Sequence, residues 1–239
     1  MIVLFTDYGH EGPYLGQVEA VLGQRAPNAR VIRLFVDAPS HNPRACAYLL
    51  AAYSSGFPQQ AIFFTVVDPG VGSFTDRPVI LKIDNQWFVG PDNGLFDIVA
   101  RRGQKFESWQ ISWRPETLSS TFHGRDLYAP VCAMIFNHHS PPGETFVWTD
   151  QHGWPDDLNE IVYIDRFGNA MTGIRAAQVG NTAVIKFRNQ DILNARTFSD
   201  VVPGSLFWFE NSGGLVEIAV NQGSAAEKLG MKIGDQVKF

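Results

Sequence analysis

The chain has 239 residues, 45% hydrophobic and 18% charged, with 18 Phe, 6 Trp and a net charge of −5. That composition excludes disorder, and 24 acidic against 19 basic residues with no long basic run removes the electrostatic footprint of a nucleic-acid binder. No segment approaches the roughly 20 apolar residues that cross a bilayer. Met1 to Phe5 reaches Asp7 too early for a signal peptide, which predicts a cytoplasmic protein with no membrane partner.

Ile2 to Thr6 is a continuous apolar run, as expected of a strand covered on both faces. A helix over Gly16 to Arg25 and a second strand over Val31 to Val36 follow. Asn42-Pro43 opens another helix, running to about Ser54, with Pro in the first turn where its missing N–H costs nothing. Ala61 to Val67 is a third strand, ending on Asp68. Val79 to Ile83 and Gln86 to Val89 flank Asp84-Asn85, a hairpin turn, and Asn93 to Arg101 reads as helix. The alternation predicts a Rossmann-like α/β domain with a mostly parallel sheet over 1–142. Cys46 and Cys132 lie in apolar segments without a partner at metal-ligand spacing, and read as buried, reduced thiols.

Proline and glycine between Ser140 and Asp157 mark a linker, placed at 143–155. In a second domain, 156–239, Ile161 to Asp165, Thr182 to Phe187, Leu206 to Phe209 and Leu215 to Val220 read as strands of a small antiparallel barrel or sandwich. Ser224 to Glu227 has capping-box form and opens a short helix that Gly230 stops. The closing Gly234-Asp235 turn and Gln236 to Phe239 strand also resemble the end of a PDZ-like module.

Four polar strings punctuate this pattern: Thr6-Asp7-Tyr8-Gly9, Asp68-Pro69-Gly70-Val71-Gly72, Phe122-His123-Gly124-Arg125-Asp126 and Ile164-Asp165-Arg166-Phe167-Gly168-Asn169. Each sets an acid, base or amide beside glycine at the end of an apolar run, where a strand delivers its last residue to the rim of a sheet. Such rims bind ligands in α/β proteins. Each residue also has a plainer reading. Asp68 can cap its own turn, Asp7 a turn or helix, Arg77 can face solvent, His123 can meet a backbone carbonyl, and Phe198 can be core. Arg125 and Asp126 read as a structural pair.

With Gly90-Pro91-Asp92-Asn93-Gly94-Leu95, Glu210-Asn211-Ser212 and Glu217-Ile218-Ala219-Val220-Asn221, these strings resemble, in order and separation, the S-adenosyl-L-methionine (SAM) hydroxide adenosyltransferase family, relatives of the fluorinase and chlorinase enzymes. The resemblance implies hydrolysis of SAM to adenosine and L-methionine, water-derived hydroxide attacking C5′ of the ribose. SAM is then the substrate, with no cofactor and no metal. It further implies a homotrimer whose sites lie between the first domain of one subunit and the second domain of its neighbour. Asp68, Arg77 and His123 match the family's Asp-Arg-His set, which holds water or hydroxide near the ribose carbon. Asp7 matches the acceptor of the ribose 2′- and 3′-hydroxyls, Asp165 a residue meeting the methionine ammonium, and Ser212 one near its carboxylate. Phe167, Asn169 and Phe198 match positions around the adenine. A sulfonium leaves as a neutral thioether, so no general acid is required and the burden falls on aiming the nucleophile. The halogenating relatives carry Tyr at the position of Asp68 and Tyr-Ser at His123-Gly124, which disfavours halogenation here. Gly12, Gly173 and Gly213 depart from the family pattern, and the loop from Asp68 to Arg77 is longer than is usual in it.

Two other classes fit parts of the chain. A metal-dependent hydrolase would use Asp7, Asp68, Asp92 and His123, although no His-x-His, His-x-x-x-His or paired-Cys spacing accompanies them. A non-catalytic module would bind SAM or adenosine without turnover.

Overall fold

A computed structural model describes residues 1–239 other than Thr75, Asp76 and Gln151, so the expected extra length between Asp68 and Arg77 lies partly outside the described residues. The chain divides into two compact units, one of residues 1–51 with 57–153 and one of residues 52–56 with 154–239.

The first unit opens with β1 (Ile2–Thr6), α1 (Tyr14–Arg25), β2 (Val31–Phe35), α2 (Pro43–Tyr53), whose last two residues fall in the second unit, and β3 (Ile62–Val66). Every residue of β1 and β3 is buried, which is why neither strand shows polar alternation in the sequence. β1 pairs in parallel with β2 on one side and β3 on the other. The chain thus reverses its direction of travel across the sheet at β1, and the crevice beyond the carboxyl ends of β1 and β3 is a switch point. β4 (Pro78–Ile83) and β5 (Gln86–Pro91) form the predicted hairpin, with Asp84 and Asn85 at φ +47° and +73°, the left-handed pair that matches strand twist. β5 pairs in parallel with β3.

After α3 (Asp97–Arg102), β6 (Phe106–Ile111) pairs with β4, and the chain passes through α4 (Ala129–Phe136) to β7 (Gly143–Thr145), which pairs with β6, both antiparallel. The sheet order β2-β1-β3-β5-β4-β6-β7 is therefore parallel around β1 and β3 and antiparallel beyond β5. Residues 143–145, assigned to the linker on composition, extend the sheet edge. α3 starts later than predicted because Asn93 folds back to donate to Val67 O at 2.9 Å. Ile2, Leu4, Phe64 and Val66 share one core with α1 and α4, so the alternate residues Val3, Phe5 and Phe63 face the opposite layer. A single π turn, Gly124–Tyr128, leads into α4, with the Ala129 N–H donating to Gly124 O.

The second unit contains β8 (Leu158–Ile164), β9 (Ala170–Arg175), α5 (Ala176–Val179), β10 (Ile185–Phe187), β11 (Gln190–Ile192), β12 (Leu206–Glu210), β13 (Leu215–Val220) and α6 (Ala225–Leu229). Among the described residues, β12-β13-β9-β8 form an antiparallel sheet and β10-β11 a separate ribbon. Sheet and ribbon share a core through Ile161, Ile174, Phe187, Ile192, Trp208 and Ile218, and the four-stranded sheet stays open rather than closing into a barrel. Ser224 Oγ accepts the Glu227 N–H at 3.0 Å and Gly230 ends α6 at φ +61°, as the capping box requires. The closing residues form isolated bridges, Gln236 to Glu160 and Lys238 to Lys186, where a strand was expected. Among the described residues no helix is long and apolar enough to cross a membrane. Cys46 and Cys132 are buried and free, and burial pushes both thiols well above their ordinary range.

Candidate active site

Asp7 leaves the end of β1 and Asp68 follows β3 by two residues, so adjacent parallel strands deliver two carboxylates to one rim. His123 joins them from the residue before the π turn. All three line a cavity of about 270 Å³ in the first unit, together with Tyr8, His41 and Phe122. His123 is 8% exposed. Asp7 Oδ2 accepts the His41 N–H at 3.0 Å, an interaction for which His41 adopts φ +57°. Asp68 Oδ1 accepts the Gly70 N–H at 3.1 Å, so its turn-capping role is present alongside its place on the cavity wall.

Arg77 stands elsewhere. Its Nη1 lies 3.1 Å from Asp92 Oδ2 and its guanidinium sits 4.1 Å above the Phe146 ring, and it is not among the residues lining the Asp68 cavity. The largely covered Asp92 carboxylate, which also accepts from Trp148 Nε1 at 3.3 Å, draws the cation to itself. This pairing also takes Asp92 away from the alternative metal set, and the described residues contain no group of three or more His, Cys, Asp or Glu arranged to hold a metal ion. Arg125 and Asp126 form the expected structural pair, Nε to Oδ1 at 2.6 Å and Nη2 to Oδ2 at 2.9 Å. The hydrogen bond from Arg125 holds the Asp126 carboxyl below its usual range.

The remaining candidates meet in the second unit. Asp165, Phe167, Asn169, Phe198 and Ser212 line a cavity of about 760 Å³. The Asp165 carboxylate is fixed by its own turn, Oδ1 accepting the N–H groups of Phe167 and Asn169 at 2.9 Å each and Oδ2 the Asn169 side-chain amide at 3.1 Å. Gly168 makes that turn possible at φ +81°, where a Cβ would stand 2.0 Å from Ser224 Oγ. Phe167 is 69% exposed, and Phe198 meets Phe207 and Phe209 edge-on at 5.1 and 5.4 Å. The cavity thus joins an aromatic wall to a fixed acid.

Three further residues of this wall, Tyr53, Asn211 and Glu217, received no role from the sequence. Glu217 lines the cavity at 4% exposure, in a strand whose six residues are all buried. Asn211 Nδ2 donates to Glu217 Oε2 at 2.9 Å and to the Tyr53 hydroxyl at 3.2 Å. Burial pushes the Glu217 carboxyl up, the Asn211 hydrogen bond opposes this, and the Asp165 charge adds to it. An acid inside the apolar run Leu215-Val216-Glu217-Ile218-Ala219-Val220 was the available signal, because a carboxylate in the middle of a covered strand is tolerated only with polar partners.

The three glycines expected to depart from the family pattern each sit where a side chain is strained or crowded. Gly12 sits at φ +88°, which an acidic side chain adopts only with strain. A Cβ at Gly173 would fall 2.6 Å from Leu158 Cβ, and one at Gly213 would fall 2.8 Å from the Tyr53 ring. The Tyr53 ring thus occupies the space that a side chain at position 213 would need.

Residues 2–144 match the SAM hydroxide adenosyltransferase N-terminal domain and residues 159–238 the corresponding C-terminal domain. A Thermus thermophilus protein named (R)-S-adenosyl-L-methionine hydrolase is 35% identical, the alignment covering 100% of this chain and 98% of that one. A Salinispora arenicola protein of the same name is 33% identical over 98% of this chain and 95% of its own. The solved structure of an uncharacterized conserved protein from Thermotoga maritima superposes with a TM-score of 0.90 at 30% identity, covering 99% of this chain and 98% of that one. The two domain matches replace the PDZ-like reading of the C-terminus, and the chain belongs to the SAM hydroxide adenosyltransferase family.

Proposed function

We propose that the protein hydrolyses SAM to adenosine and L-methionine by attack of water-derived hydroxide on ribose C5′. The observation that carries this reading is the convergence of Asp7, Asp68 and His123 on one small cavity at the strand ends, in a chain aligned over its whole length with proteins named (R)-S-adenosyl-L-methionine hydrolase. Asp7 keeps a second carboxylate oxygen for the ribose hydroxyls while its first is held by His41. Asp68 and His123 aim and deprotonate the nucleophile, and the sulfonium departs without a proton. The reading needs no metal and no cofactor. Arg77 stabilises the hydroxide, for which it must turn from Asp92 into the cavity. In the second unit, Asp165 and Glu217 meet the ammonium of the methionine moiety, Ser212 its carboxylate, and Phe167, Phe198 and Asn169 the adenine.

The two sets line separate cavities. We read the chain as two domains, 1–142 and 156–239, whose complete site forms between subunits of a homotrimer, as the family resemblance implies. The buried thiols accord with a cytoplasmic enzyme.

Incubation with SAM in ¹⁸O-labelled water, with and without chelator, tests the reaction. Label in the adenosine 5′-hydroxyl, unaffected by chelator, is the expected result. Loss of activity with chelator supports a metal-dependent hydrolase instead, and SAM bound but intact a binding module.

A further inference from the structure

Tyr8, in the first polar string, carries a side chain that lines the cavity of Asp7, Asp68 and His123 and that the proposed reaction leaves without a role. Its ring is caged, lying 5.7 Å from Phe122 at 73°, 6.4 Å from Phe64 at 68° and 6.1 Å from Tyr14. Tyr14 in turn meets Phe122 edge-on at 5.3 Å. A ring held from three sides cannot swing, so the position of its hydroxyl is set by packing. That hydroxyl stands against Gly124, where a Cβ would lie 1.9 Å from the oxygen and 3.0 Å from Cζ. Gly124 has an ordinary φ, so glycine is required there by space and not by backbone conformation. His123 is the residue immediately before Gly124, and the π turn begins at Gly124 itself.

Resting on the hydrolysis reading, we propose that Tyr8 is a positioning residue. Its hydroxyl is the stop against which the His123-Gly124 turn seats, and so sets where the His123 imidazole stands relative to Asp68. The arrangement is self-consistent in charge as well. Burial, with Asp7 and Asp68 nearby, drives the phenol far above its ordinary range, so the stop stays neutral and protonated beside two carboxylates. A hydroxyl is the only difference between tyrosine and phenylalanine, and its removal leaves room for the turn to shift by a fraction of an ångström. Misplacement on that scale lowers the rate of an aimed reaction without altering substrate grip.

The test is a double-mutant cycle on kcat, with the adenosine Kd and Tm measured for every variant. Tyr8→Phe is expected to lower kcat about tenfold while the adenosine Kd stays within about twofold. Gly124→Ala, which drives a methyl into the hydroxyl, is expected to lower kcat by more than about a hundredfold. Combining the two is expected to recover about tenfold over Gly124→Ala, because the new methyl takes the place of the missing oxygen. An unchanged kcat in Tyr8→Phe, an equal loss of kcat and adenosine affinity, or a double variant no better than Gly124→Ala overturns the proposal. If Gly124→Ala does not fold, Tyr8→Phe decides alone. A wild-type protein that holds SAM without releasing adenosine overturns the hydrolysis reading and this one with it, whereas an active wild type with a fully active Tyr8→Phe overturns this one alone.

Discussion

The two cavities are built by opposite strategies. In the first unit, strand ends and a helix start bring Asp7, Asp68 and His123 to a space of about 270 Å³, and each functional group comes from a different element. In the second, two turns at the ends of neighbouring antiparallel strands, Asp165 to Asn169 and Asn211-Ser212, supply most of the polar groups together with Glu217 of β13, and the space, about 760 Å³, is walled by exposed rings. A site assembled from distant segments is sensitive to small displacements, which suits the aiming of a nucleophile. A site built from adjacent turns and a sheet face holds its groups through local hydrogen bonds and suits the grip on a large, partly cationic ligand.

That contrast breaks most sharply at Asp68 and His123. Replacing either with alanine is expected to lower kcat by about 10²- to 10⁴-fold with little change in adenosine affinity, read from adenosine release and calorimetric titration. Parallel losses in both quantities would erase the division of labour. Glu217→Gln probes the other side. Here KM for SAM is expected to rise about tenfold while kcat holds, since the change removes charge from a cavity that receives a cation. Gly213→Ala sharpens the same side more gently. The methyl meets the Tyr53 ring at 2.8 Å, with an expected cost of about 1–3 kcal/mol in chemical denaturation and a secondary rise in KM.

A further expected effect concerns neither cavity and calibrates the others. Asp97 is buried at the first turn of α3, with Oδ2 at 2.8 Å from His152 Nδ1. Burial pushes its carboxyl from 3.8 up to about 6, the His152 hydrogen bond opposes this, and the Asp150 charge adds to it. Between these values the unfolded chain releases the proton before the folded one does, so stability contributed by Asp97 falls as pH rises from about 4 to about 6. The Tm of wild type relative to Asp97→Asn is expected to decline across that window and to stay level above it.

What could be read from the sequence follows from how residues advertise their surroundings. β1, β3 and the Asp84-Asn85 hairpin are written in continuous apolar runs and turn residues, and their ends locate Asp7 and Asp68 directly. β6 escaped because its Phe106, Glu107 and Gln110 are exposed, so half of it carries no core signal. β9 escaped because Ala170-Met171-Thr172-Gly173 offers little apolar volume, although Thr172 is fully buried and bonded to Val216 O at 2.9 Å. The pairing of Arg77 with Asp92 was invisible for a different reason. The two are 15 positions apart in the chain, and only the fold makes them neighbours. Glu217 was visible in the sequence as a single acid within an apolar strand.

The π turn before α4 has a consequence for how this active-site wall can change through evolution. A π turn is an α-helix carrying one surplus residue, and here the surplus lies within Gly124–Tyr128, between His123 and the helix that anchors it. Excising one residue would return the segment to ordinary helix and rotate everything before it by about 100° relative to α4. Single-residue length changes in this segment would therefore retire or recruit the side chain at position 123 in one step while leaving the α4 core packing intact.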